Sequence, residues 1–205
     1  MIVYNYGLPL SGTRWTNAVL RAVLDLHGVP FRSVTPPQAS LLPMLRQAVD
    51  SGTYRWQVLI LQTHDWSDEI STLLARAGGH SVAFAALRDP RDVCAALMSG
   101  TDSDPDKTVA ETDARVAWVR PMLRESHALG LRYESAVKDP AAFALAIADA
   151  LDLRLDAAAA LRIAAQTEHA AERHAPGCWR QLPSRDRERI AAALGGAVRA
   201  LGYRD

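Results

Sequence analysis

The sequence predicts an α/β domain in three layers, a parallel β-sheet between two sets of helices. Three observations carry this. Short β-prone runs alternate with helical patterns along the 205 residues, the pattern of a sheet covered by helices. Val58-Leu59-Ile60-Leu61 is apolar at every position, as a central parallel strand buried on both faces must be. The opening run Ile2–Tyr6 passes through the turn Gly7-Leu8-Pro9-Leu10-Ser11-Gly12-Thr13 into an amphipathic helix with apolar Trp15, Val19, Val23 and Leu26.

The elements follow in order. Strands are expected at Ile2–Tyr6, Phe31–Val34, Gln57–Gln62, Ser81–Leu87 and Leu131–Tyr133. Helices are expected near Thr13–His27, Leu41–Asp50, Asp65–Ala77, Arg91–Met98, Val109–Leu129, Pro140–Leu151, Ala157–Arg173 and Ser184–Leu201. Gly28 followed by Pro30 is a good stop for the first helix. Ser99–Lys107 and Glu172–Pro183 read as the mobile loops. With no internal repeat and no long linker, residues 1–205 read as one domain.

Composition narrows the partners. Acidic and basic residues balance at 23 each, so no general field favours nucleic acid or an anionic membrane. Cys94 and Cys178 suggest neither a disulfide framework nor a metal site. A reduced, cytoplasmic setting is the expectation. No basic and apolar leader pattern is visible, and no uncharged apolar run would span a bilayer.

The first turn points to a ligand. Strand, glycine-bracketed turn and helix start aim several backbone N–H groups at one spot, where the helix dipole also favours an anion. Gly7 and Gly12 have the spacing of a P-loop, so the layers are expected to be P-loop-NTPase-like. Thr13 stands where a nucleotide-hydrolysing P-loop has Lys. The turn suggests a phosphate-bearing ligand and argues against ordinary ATP or GTP hydrolysis.

Other candidates sit at strand ends, where such sheets bind ligands. His64 follows the apolar strand and can take a proton from an attacking hydroxyl, or it caps or is exposed beside the next helix. Arg88 can fork onto a phosphate, or pair with Asp92. Tyr133 can close a pocket by stacking, or be a half-buried strand residue. The stretch Arg173-His174-Ala175-Pro176-Gly177-Cys178-Trp179-Arg180 can fold over an anion, or be a loop pinned by Trp179. Trp15 carries the parallel alternative of core packing.

Taken together, in this order, these segments resemble the sulfotransferases that use 3′-phosphoadenosine 5′-phosphosulfate (PAPS). Pro9-Leu10-Ser11-Gly12-Thr13-Arg14-Trp15 is similar to the family's Pro-Lys/Arg-Ser-Gly-Thr-Thr-Trp. Gln62-Thr63-His64 resembles its Lys-Thr-His, and Arg88-Asp89-Pro90-Arg91-Asp92 its Arg-Asn/Asp-Pro-Lys/Arg-Asp. Tyr133-Glu134-Ser135 resembles Tyr-Glu-Asp, and Gly177-Cys178-Trp179-Arg180 the late Gly-Asp-Trp-Lys/Arg loop. The likeness spans nearly the whole chain. It departs at Leu10, Gln62 and Ala96, where the family has a basic residue, Lys and Ser, and at Cys178, where it has Asp.

The resemblance implies sulfuryl transfer from PAPS to an acceptor hydroxyl or amine, with His64 as general base and adenosine 3′,5′-diphosphate (PAP) as product. It implies that Pro9, Ser11, Gly12, Thr13 and Arg14 cradle the 5′-phosphosulfate. Arg14 would stand in for the base missing at Leu10. Arg88, Ser99 and Arg173 would hold the 3′-phosphate, Trp15 and Tyr133 would flank the adenine, and Gly177 and Trp179 would close the late loop. No metal is implied. The acceptor is a small molecule, glycan or lipid whose pocket comes from Thr35–Ser40, Asp65–Asp68 and Ser99–Lys107. Two alternatives stand beside this: a nucleotide-binding module that has lost transfer, and a P-loop kinase, which Thr13 and the neutral Leu59–Thr63 strand end oppose.

Overall fold

β1 (Ile2–Gly7) is buried along its whole length at the centre of a five-stranded sheet. The structure is a computed structural model and describes residues 1–100, 104–125, 128–171 and 174–204. The sheet runs β2 (Phe31–Val34), β3 (Val58–Thr63), β1, β4 (Ser81–Leu87), β5 (Leu129–Arg132), and every neighbouring pair is parallel. Parallel neighbours need crossovers, and helices supply them. These are α1 (Thr13–Leu26), α2 (Gln38–Ser51), α3 (Asp68–Ala77), and the pair α4 (Pro90–Gly100) and α5 (Pro105–Glu125) before β5. Then come α6 (Tyr133–Lys138), α7 (Pro140–Ala150), α8 (Ala157–Thr167) and α9 (Ser184–Ala200).

Strand alternation divides the core in two. Tyr4, Tyr6 and Leu61 pack on one face against Leu41 and Leu45 of α2, Ile70 of α3 and Val116 of α5. Val3, Ile60 and Phe84 pack on the other against Val19 of α1, Ile147 of α7 and Ile163 of α8. The expected three layers are therefore present.

Several boundaries differ from the expectation. The strand expected at Leu131–Tyr133 runs from Leu129 to Arg132, so Leu129 leaves the expected Val109–Leu129 helix and pairs with Phe84 of β4, as Arg132 does with Leu87. A leucine-rich edge strand and a helix end look alike over so short a run. Tyr133 starts α6 instead of ending a strand. α8 stops at Thr167, whose hydroxyl donates to the Ile163 carbonyl at 2.9 Å. α4 and α5 consume most of the expected Ser99–Lys107 loop. Among the described residues no helix is long and apolar enough to cross a membrane.

Register sets the site. Tyr6 lies beside Thr63 and Gly7 beside Ala86. The turn after β1 is thus flanked by His64 on the β3 side and Arg88 on the β4 side, at the carboxyl ends of the strands.

Candidate functional site

The turn after β1 folds tightly because of its glycines. A Cβ on Gly7 would lie 2.5 Å from Ser11 Oγ, 2.6 Å from Thr13 Cγ2 and 2.8 Å from the Ala86 carbonyl oxygen. Leu10 and Gly12 both take left-handed backbone, at φ 60° and 98°. Leu10 does so against a steric penalty that glycine escapes. Asn5 Nδ2 donates to the Thr13 carbonyl at 2.9 Å and pins the turn to β1. Pro9 is half-buried beside it.

No described side chain caps the start of α1. The Thr16 N–H donates back to the Gly12 carbonyl at 2.9 Å, which leaves the N–H groups of Thr13, Arg14 and Trp15 at the positive end of the helix. Ser11 is 1% exposed, and its hydroxyl has no hydrogen-bond partner among the described residues. Such an orphan costs about 1–3 kcal/mol unless something accepts from it or donates to it. This donor set fits a phosphate or phosphosulfate group. Arg14 is exposed on the same turn, without a hydrogen bond or ion pair among the described residues.

Arg88 is 0% exposed and ties three segments together. Its Nη1 donates to the Leu10 carbonyl at 2.9 Å, and Nη2 to the His174 carbonyl at 2.7 Å and that of Ala175 at 3.4 Å. The guanidinium carbon lies 4.6 Å from the Tyr133 ring centroid. Its Nε has no partner among the described residues. Arg88 therefore reaches the turn, with its terminal nitrogens on backbone carbonyls and its Nε–H left as a donor for an anion.

The rest of that motif is an anchor. Asp92, 1% exposed, accepts the Gly177 N–H at 2.7 Å and the Trp179 N–H at 3.0 Å. Arg91 pairs with Asp89 at 2.8 Å and covers the Trp179 ring at 4.4 Å. Glu134 accepts the Asp89 N–H at 2.9 Å and the Tyr203 hydroxyl at 3.0 Å. Burial and then the Glu134 charge push the Tyr203 phenol upward, so it stays a donor. The alternative pairing of Arg88 with Asp92 is not what forms.

Trp15 and Tyr133 meet edge to face, with ring centroids 6.0 Å apart. Both are buried; Trp15 also packs on Phe143 at 5.3 Å and donates from Nε1 to Thr167 Oγ1 at 3.2 Å. This is the core-packing alternative for Trp15. Tyr133 lies under Gly12, where a Cβ would come within 3.1 Å of its ring. Ser99 is exposed on the last turn of α4, with its hydroxyl donating to the Ala96 carbonyl at 3.0 Å. Arg173 lies outside the described residues.

His64 is half-buried, and its Nδ1 lies 2.6 Å from the Gly7 carbonyl oxygen. A carbonyl only accepts, so Nδ1 carries the hydrogen and Nε2 of the neutral ring is the acceptor. The ring lines a cavity of about 410 Å³ with Tyr6, Leu41, Trp66, Arg115 and Trp118. Gln38, Asp65 and Ser67 from the expected acceptor loops also line it. Tyr6 and Arg115 were not among the expected site residues. Tyr6 shares a strand face with Tyr4, a signal the alternation carries. Arg115 has no signal inside its long helix. The Tyr6 hydroxyl donates to the Arg115 carbonyl at 3.4 Å, and its pKa is pushed up to about 12, mainly by burial.

The fold has known counterparts, although no protein-family model and no curated sequence matches the chain. Mouse sulfotransferase SULT7A1 complexed with PAP superposes with a TM-score of 0.72 at 13% identity, covering 97% of this chain and 84% of that one. Retinol dehydratase in complex with androsterone and the inactive cofactor PAP gives 0.67 at 14% identity, covering 100% and 82%. Retinol dehydratase with retinol and PAP gives 0.62 at 14%, covering 100% and 83%. A glycine-tight turn, an orphaned serine and a histidine tied to that turn thus sit on the sulfotransferase fold.

Proposed function

We propose that the chain transfers a sulfuryl group from PAPS to an acceptor hydroxyl or amine, with His64 as general base. The observation that supports it best is the 2.6 Å contact between His64 Nδ1 and the Gly7 carbonyl. It ties the base to the residue that opens the phosphate turn and leaves Nε2 to receive a proton. When bound, PAPS supplies an activated sulfuryl group. Ser11, Gly12, Thr13 and Arg14 hold its phosphosulfate end through N–H groups, a hydroxyl and a guanidinium. Arg88 takes the 3′-phosphate, and His64 accepts the acceptor's proton at Nε2. Positioning and charge stabilisation carry such a transfer, as in phosphoryl chemistry.

The test is radiolabelled PAPS turnover over an acceptor panel, for wild type and His64→Ala. A general base accounts for about 100-fold or more, so the variant loses transfer while its PAP affinity stays near wild type. Wild-type turnover in the variant assigns the base elsewhere. A second reading, a PAP-binding module without transfer, draws on Leu10 and Gln62, which leave the cradle two cations short of the resembled motifs. PAP binding with no turnover on any acceptor would select it.

A further inference from the structure

We propose that the cavity beside His64 takes an acceptor bearing an anionic group, a carboxylate or its equivalent, seated on Arg115. This deepens the sulfotransferase reading and rests on it. Arg115 is half-buried on α5 and lines the cavity that His64 lines. Its backbone carbonyl accepts from Tyr6, but its guanidinium makes no hydrogen bond or ion pair among the described residues. A cation drawn partly out of water without a partner is costly, and a ligand anion satisfies it. Guanidinium also presents a fork that matches a carboxylate.

The surroundings give the rest of the ligand. Leu41 and Leu42 of α2 and Ile70 of α3 form an apolar wall, and Trp118, one turn beyond Arg115, is 50% exposed at the rim. An apolar body fits between them, with its hydroxyl toward His64 and its anion toward Arg115. One acidic group faces the same space. Asp65 lines the cavity, yet it forms no ion pair with Arg115 and its carbonyl accepts the Tyr4 hydroxyl. At the Tyr6 hydroxyl, after burial, the charge of Arg115 acts more strongly than that of Asp65.

The experiment uses the full chain saturated with PAP and a panel of short and medium ω-hydroxyalkanoates, each paired with its neutral amide. Calorimetry reads the affinity of each pair for wild type, Arg115→Gln and Arg115→Lys. We expect at least one acid to bind about tenfold or more tightly than its amide, with the gap lost in Arg115→Gln and largely kept in Arg115→Lys. Equal binding of acids and amides, a gap that survives Arg115→Gln, or no binding by the whole panel overturns the inference. Transfer assays on the same panel separate it from the functional reading. Acid preference without any sulfuryl transfer overturns the transfer reading and supports the anion site. Transfer to acid and amide at equal rates overturns the anion site alone.

Discussion

The Asp92 carboxylate and the Gly177 N–H meet at 2.7 Å, and the same carboxylate takes the Trp179 N–H at 3.0 Å. One buried side chain at the start of α4 thus fixes a loop 85 positions later in the chain. Gly177 takes a left-handed φ of 82° to present its N–H this way. Asp92→Ala leaves two N–H groups without their acceptor and should cost about 1–3 kcal/mol in chemical denaturation. Asp92→Asn keeps one acceptor oxygen and should lose less. Equal stability of all three chains would remove the anchoring role.

Under the proposed function, Arg88 should decide nucleotide choice. A 3′-phosphate that accepts from the Arg88 Nε–H, which has no partner among the described residues, gains a charge-assisted contact worth about 1.5–3 kcal/mol. PAP should therefore bind roughly tenfold or more tightly than 5′-AMP, ADP or ATP in calorimetry. Arg88→Lys keeps the charge without the Nε–H, so the gap should narrow. Equal affinity for PAP and 5′-AMP in the wild type would take the 3′-phosphate away from Arg88 and the sulfotransferase reading with it.

Arg14 should replace the base missing at Leu10. It is exposed and unpaired, beside the uncapped N-terminus of α1, where a cation is locally unfavourable unless an anion is bound. Arg14→Ala should weaken nucleotide binding and slow transfer. Adding Leu10→Lys should restore part of both, since position 10 lies in the cradle itself. If Arg14→Ala changes neither affinity nor rate, the compensation fails and the non-catalytic reading gains.

Cys178 should be a poor nucleophile. Burial, then the charge of Asp92, pushes its thiol from 9.0 to about 11. In the Cys94→Ala chain at pH 8, iodoacetamide should react about a hundredfold more slowly than with a free thiol. The sign for stability follows. The folded chain keeps a proton that the unfolded chain releases, so this contribution is full below about pH 9 and is lost as pH rises towards 11. Alkylation at the free-thiol rate would contradict this.

The layers and the glycine-bracketed turn after β1 are legible in the sequence alone. Gly7 and Gly12, the doubly apolar Val58–Leu61 run and the strand–helix alternation are local signals, each readable within a few residues. They placed His64 and Arg88 at strand ends before any packing was known. The edge strand expected at Leu131–Tyr133 forms two residues earlier, at Leu129–Arg132, because its pairing with β4, which sets the bounds, is written in no local pattern. Tertiary structure alone decided what the named side chains touch. Trp15 went to the core, Arg88 to three carbonyls, Asp92 to the late loop. Tyr6 met Arg115 across 109 positions because sheet order and register, not spacing along the chain, bring β1 beside α5.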